Sequence, residues 1–369
     1  MTIDWLQLAE GVGGLLGLGA AGLFVLFMLF GQRIQYRLAL GSISRSVRRL
    51  DMMSDRAKQS TVRYLSTTGK ASGDVAGKVN QLMDYAMIMP VDLDPAGVVQ
   101  KIEHVTSLGD DRIRAEIQEM MKGSDPVSVS IAQNLIELSA SLNLMRKVVR
   151  HFYITGRKTR SLAQLSQLQM AMPQVLQQAT TLDRAMDSIR LGQPIGDGIG
   201  PLVVSKLVGK TPQETIAKDT TLATIDYKGR TLYAVKAEGP TGYVGQPGVA
   251  IRKVVEEMKV PLDGIIMVDA ALKLEGEPTG EVAEGAGAAI GGIGVEKYQI
   301  EEVATKHSIP LYAVLVKESD TEAITTMKQE IVDAIPRVME VISGIIEKRT
   351  KEGGKVLLAG IGNTLGVGQ

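Results

Sequence analysis

The chain contains no cysteine, which excludes disulfides, thiolate metal sites and cysteine nucleophiles. Histidine is nearly as scarce. His104, His151 and His307 are the only three and lie far apart in sequence, which argues against a histidine-built metal centre. With four Phe and one Trp, the core has to rely on Leu, Ile, Val, Met and Ala. Net charge is absent as well: 41 Lys and Arg balance 41 Asp and Glu, so there is no overall basic footprint and nucleic acid is not an expected partner.

A more local absence is charge in residues 11–30, GVGGLLGLGAAGLFVLFMLF. Twenty apolar residues match the thickness of a bilayer core when helical. Asp4 and Glu10 precede the run, and Arg33, Arg37, Arg45, Arg48 and Arg49 follow it. The positive-inside bias then predicts a single-pass protein of the cell membrane, N-terminus outside and bulk cytoplasmic, with residues 1–32 as anchor and the lipid bilayer as partner. A cleaved signal peptide fits less well, because the leading segment is acidic and the apolar core long. Gly13, Gly17 and Ala21 share one helical face, flanked by Gly14 and Gly22, which suggests self-association.

The 369 residues leave room for two further domains. Residues 33–190 read as all-α, about six helices by their apolar spacing, as at Ile131, Leu135, Leu138, Leu142 and Met145. Asp92-Leu-Asp-Pro-Ala and Ser124-Asp-Pro are helix starts, and Pro173 should start or kink another helix. Homo-oligomer formation is expected through the transmembrane and helical regions. Arg146, Lys147, Arg150, His151, Arg157, Lys158 and Arg160 form a basic group, read as a solvated face in preference to a lipid contact.

Residues 191–369 alternate short apolar runs with helices, the grammar of a three-layer α/β domain. Lys228-Gly-Arg230 is a hairpin turn between Thr221–Tyr227 and Thr231–Val235. Gly264–Ala270 reads as a strand covered on both faces, and Leu311–Lys317 and Lys355–Ala359 as further strands. Thr321–Lys348 reads as one long helix, bent near Pro336.

Sites in open α/β sheets form at the carboxyl ends of strands. Three glycine loops fall at such places: Gly360-Ile-Gly362-Asn363, Gly196-Asp197-Gly198, and the stretch 285–294 with Gly291, Gly292 and Gly294. Asp269 ends the buried strand, where packing does not explain an acid. Asp197 could be no more than a helix cap.

These segments resemble the hydrogenase maturation proteases and the spore germination protease. GIGNTLGVG resembles their first strand and loop, GDGIGP the acidic segment that follows it, and DGIIMVDAALKL the buried strand ending in Asp-Ala. TGEVAEGAGAAIGGIGVEKYQIEEVATKHSIPLYAVLV resembles the long glycine loop, helix and next strand. The resemblance covers about 180 residues, judged from the order of its motifs. It implies a circularly permuted phosphorylase/hydrolase-like fold with the last strand central and Asn363 near Gly196. It also implies catalytic roles for Asp197, Asp269 and Glu284, with Asp197 and Asp269 as an acid pair or as ligands of a divalent metal. No histidine stands at the corresponding loop, a departure from the maturation proteases. The whole chain further resembles an uncharacterised archaeal family of membrane-anchored proteins. Two functions follow as expectations: a membrane-anchored, self-assembling scaffold with a protease-like domain, or a membrane-tethered peptidase using an aspartate pair.

Overall fold

A computed structural model describes residues 5–86, 97–291 and 294–368, with side chains from Phe30 onward. The first half is helical: α1 Trp5–Thr67, α2 Val75–Met83, α3 Val98–Met120, α4 Pro126–Thr159 and α5 Leu162–Arg190. Local chemistry sets several ends. The Asp74 carboxylate accepts the Gly77 N–H at 2.8 Å ahead of α2. Asp125 accepts the Ser128 N–H at 2.9 Å, and Pro126 takes the first helical position of α4. Pro173 lies inside α5. The expected start at Asp92–Pro95 lies outside the described residues.

The expectation of a transmembrane anchor needs correction. Among the described residues, no helix is long and apolar enough to cross a membrane. The run 11–30 belongs to a 63-residue helix. Beyond Phe30 that helix carries Arg33, Arg37, Arg45, Arg48, Arg49, Asp51, Asp55, Arg56, Lys58 and Arg63, charge that a bilayer core does not accept. The single-pass topology and the membrane localisation fall with the anchor. The side chains of the Gly13–Gly17–Ala21 face lie outside those described.

The chain forms two compact units, 1–55 with 142–179 and 56–141 with 180–369. In the first, Ile43, Leu50 and Met53 of α1 are buried, as are Leu142 and Val149 of α4 and Leu165 and Met172 of α5. Arg146 lies 3.6 Å from Asp51, while Lys147, Arg150, His151, Arg157, Lys158 and Arg160 are exposed.

The second unit is built on a seven-stranded mixed sheet. Its elements are α6 Ile199–Val208, β1 Glu214–Ala217, β2 Thr220–Tyr227, β3 Arg230–Ala237, α7 Pro247–Arg252, β4 Gly264–Leu272, β5 Val282–Ala286, α8 Val295–Lys306, β6 Leu311–Glu318, α9 Asp320–Ile324, α10 Gln329–Asp333, α11 Ile335–Arg349 and β7 Lys355–Gly360. Strand order is β1-β2-β3-β7-β4-β6-β5. The last strand of the chain is therefore the central one, as expected, and runs parallel to both β3 and β4. The β2–β3 turn uses Lys228 and Gly229 at φ 52° and 72°, the paired positive values of a tight hairpin.

Helices cover both faces. Ile266, Val268, Val314, Val316, Val356 and Leu358 pack against α6, α10 and α11. Ile265, Met267, Leu357 and Ala359 pack against α7 and α8. Strands buried on both sides lose the apolar/polar alternation, which is why GIIMV and VLLA read as unbroken apolar runs. Burying each such side chain contributes roughly 1.5–3 kcal/mol.

The single helix expected over Thr321–Lys348 is three: α9, α10 and α11. At the first break the backbone pairs elsewhere. The Met327 N–H donates to Pro194 O at 2.7 Å, and Ile195 bridges Thr326. Pro336 sits in the first turn of α11. β5, within the stretch read as a glycine loop, is an edge strand antiparallel to β6.

Candidate functional site

The carboxyl ends of β4, β6 and β7 meet a 3-10 turn, Gly196–Gly198, that leads into α6. Glycine makes this approach possible. Gly362 has φ 125°, and a Cβ there would collide with the carbonyl oxygen of Asp197. A Cβ at Gly196 would collide with the carboxylate of Glu318. The backbone contact then becomes specific: the Asn363 N–H donates to Asp197 Oδ2 at 2.7 Å. Asn363 is fixed in turn, its Nδ2 donating to Gly242 O at 2.9 Å and its Oδ1 accepting the Leu365 N–H at 2.8 Å.

Three carboxyl groups line one cavity of about 650 Å³ here: Asp197, Asp269 and Glu318. Asp269 ends the buried part of β4 and is 6% exposed, with Oδ1 accepting the Ala270 N–H at 2.8 Å. Glu318 ends β6 and is 1% exposed, and neither of its side-chain oxygens has a hydrogen-bond partner. Burial raises the Asp197 carboxyl above the ordinary range, offset by the bond from Asn363. Burial and then the charge of Asp197 push Asp269 up to about 8. Burial, followed by the charges of Asp197, Glu322 and Asp269, pushes Glu318 up to about 8. At neutral pH the group holds protons that ordinary carboxylates would have lost.

Asp197 is not a helix cap. The N-cap of α6 is Gly198, with no side-chain capping bond. Glu284 is exposed on the edge strand β5, opposite Val314, and lies outside the cavity lining. Gly362, Asn363, Gly291 and Gly294 line the cavity, whereas Gly196, Gly198 and Gly360 serve close backbone packing. Gly292 lies outside the described residues. Among the described residues, no group of three or more His, Asp and Glu side chains is arranged to hold a metal ion.

Glu318 was not among the residues read from sequence. The signal was available: an acid closes the apolar run of β6 just as Asp269 closes that of β4. The second omission was the far wall of the cavity. Asp110 and Arg114 of α3 and Gln133 and Glu137 of α4 come from the helical half. Arg114 forms a two-toothed bond to Asp219, at 3.1 and 2.6 Å, and lies 4.0 Å over the Tyr243 ring.

No characterised protein matches the sequence. Two family models do, and they abut: one described as a protein of unknown function (DUF1512), N-terminal domain, over residues 19–192, the other as a domain of unknown function (DUF1512), C-terminal, over residues 195–368. Together the two halves take in nearly all of the sequence, and the chain belongs to the DUF1512 family.

Proposed function

We propose that the protein is an acid–base hydrolase of amide bonds, with Asp197, Asp269 and Glu318 as its working carboxyl groups. The observation that carries this reading is Glu318: a fully buried acid with no hydrogen bond on either oxygen, beside two further acids on a cavity wall. A scaffold has no use for such a group, which costs stability. The sequence likeness to the germination protease supports the same reaction class.

Asp197, which accepts a backbone N–H, is the ionised member. Burial, reinforced by its charge, keeps Asp269 and Glu318 protonated. Asp197 takes a proton from water as the water oxygen bonds to the amide carbon. A protonated neighbour donates a hydrogen bond to the amide oxygen, where negative charge develops. The proton then passes to the amine nitrogen as the C–N bond breaks.

The test uses the full chain with casein and a fluorogenic peptide panel. Cleavage by the unmodified protein is expected, with Glu318→Gln, Asp269→Asn and Asp197→Asn each lowering kcat by about 100-fold or more. No cleavage of any substrate by the unmodified protein, or an unchanged rate in Glu318→Gln, overturns the reading.

A further inference from the structure

The cavity has an imbalance that amide hydrolysis does not require. Two cations line it, and both are occupied: Arg114 by Asp219 and Lys218 by Asp111. Seven other acids line it: Asp197, Asp269 and Glu318 at the strand ends, and Glu103, Asp110, Glu137 and Glu296. None of these seven is in an ion pair with Lys, Arg or His among the described residues. Asp269 and Glu318 hold their protons at neutral pH, which leaves five carboxyl groups against two cations already paired with Asp219 and Asp111, and the field of that excess attracts cations.

The wall opposite the strand ends is built for one kind of cation. Glu137 of α4 is solvent-exposed, lines the cavity and accepts the Gln133 Nε2 N–H at 2.9 Å. The other amide atom of Gln133, Oε1, has no partner, although the residue is only 6% exposed. Thr106 Oγ1 of α3 is buried and unpartnered as well. Desolvation by the surrounding protein, and after it the nearby Asp110 charge, raises the Glu137 carboxyl, while the Gln133 bond and the Arg114 charge act the other way. Two carboxylates, an amide oxygen and a hydroxyl are acceptors suited to the three N–H donors of an ammonium group. A divalent ion fits less well, since no metal-holding cluster occurs among the described residues.

We infer that α3 and α4 form a recognition subsite for a primary ammonium group of the ligand, seated against Asp110, Glu137 and Gln133. The inference rests on the same cavity as the proposed hydrolase, but it concerns binding and not bond cleavage. It gives the helical half a role in substrate choice. The ammonium can come from a peptide N-terminus or from a lysine side chain, which share this chemistry.

The experiment is calorimetric titration of the full chain at low salt with four probes: leucinamide, Nα-acetyl-leucinamide, Nα-acetyl-lysine N-methylamide and its Nε-acetylated counterpart. At least one ammonium probe should bind ten times or more tightly than its acetylated partner. Which pair shows the difference identifies the source. Asp110→Asn combined with Glu137→Gln should abolish the preference, while Glu318→Gln should keep it. Equal binding within both pairs, no binding of any probe, or a preference that survives the double substitution overturns the inference. Ammonium-selective binding without cleavage would sink the hydrolase and leave the subsite standing. Cleavage of peptides with no such selectivity would do the reverse.

Discussion

Replacing Glu318 with Gln should make the protein more stable, and only at neutral to alkaline pH. The carboxyl is 1% exposed and unpartnered, and its pKa rises from 4.5 to about 8 on folding. A carboxyl raised in this way contributes stability that is complete below pH 4.5 and is lost as pH rises toward about 8. At pH 7 the unfolded chain has released this proton and the folded one still holds it. At about 1.4 kcal/mol per pH unit above 4.5, the cost is roughly 3 kcal/mol. Glu318 is still neutral at pH 7, so its removal leaves the charges around Asp197 and Asp269 unchanged, and the gain in Glu318→Gln at pH 7 is about 3 kcal/mol. Gln is nearly isosteric, and packing should barely change. Urea unfolding at pH 5 and pH 8 reads the difference: the variant should gain midpoint at pH 8 and match the unmodified protein at pH 5. In a thermal scan a gain of about 3 kcal/mol corresponds to roughly 6–12 °C. A variant less stable by the same amount at both pH values would refute the argument, because it would mean that Glu318 makes bonds in the native state.

Three other outcomes follow from the same geometry. Asp197→Asn should lower the pKa values of both Asp269 and Glu318, since the Asp197 charge raises each; carboxyl carbon chemical shifts followed through a pH titration would show it. Gly362→Ala should destabilise the fold by about 2–4 kcal/mol, through both the positive φ and the collision with Asp197, measured by chemical denaturation. Leu358→Ala, at a fully buried site on the central strand, should cost about 2–5 kcal/mol in the same assay.

The parts of the fold legible in the sequence were those written locally. GIIMV and VLLA announce strands buried on both faces, Lys228-Gly229 a hairpin, and Ser124-Asp-Pro a helix start, because each depends on neighbours along the chain. What misled was context. Residues 11–30 have the length and polarity of a span, yet they are one stretch of a helix that runs on through ten charged residues to Thr67. Thr325–Lys328 looked helical because nothing local shows that its backbone bonds Pro194 and Gly196. The site was half legible. Asp197 and Asp269 were found from strand-end position, and that same rule applied to β6 would have found Glu318. Glu284 was chosen by family likeness alone and lies on an exposed edge. Asp110 and Glu137 carry no sequence signature, since an acid on an amphipathic helix reads as an ordinary solvent-facing residue and nothing local shows that it lines a cavity.

The position of β7 bears on how the protein is made. Synthesis runs from the N-terminus, and β3 and β4 have to wait, side by side but unjoined, until β7 leaves the ribosome. The helices have all emerged by then, and so have both walls of the cavity except for Ile361, Gly362 and Asn363. Asp197 therefore gains its backbone partner only once Asn363 has emerged. A nascent chain that pauses before β7 emerges lacks the strand that joins β3 to β4, and a chain truncated ahead of β7 has neither a closed sheet nor a complete site.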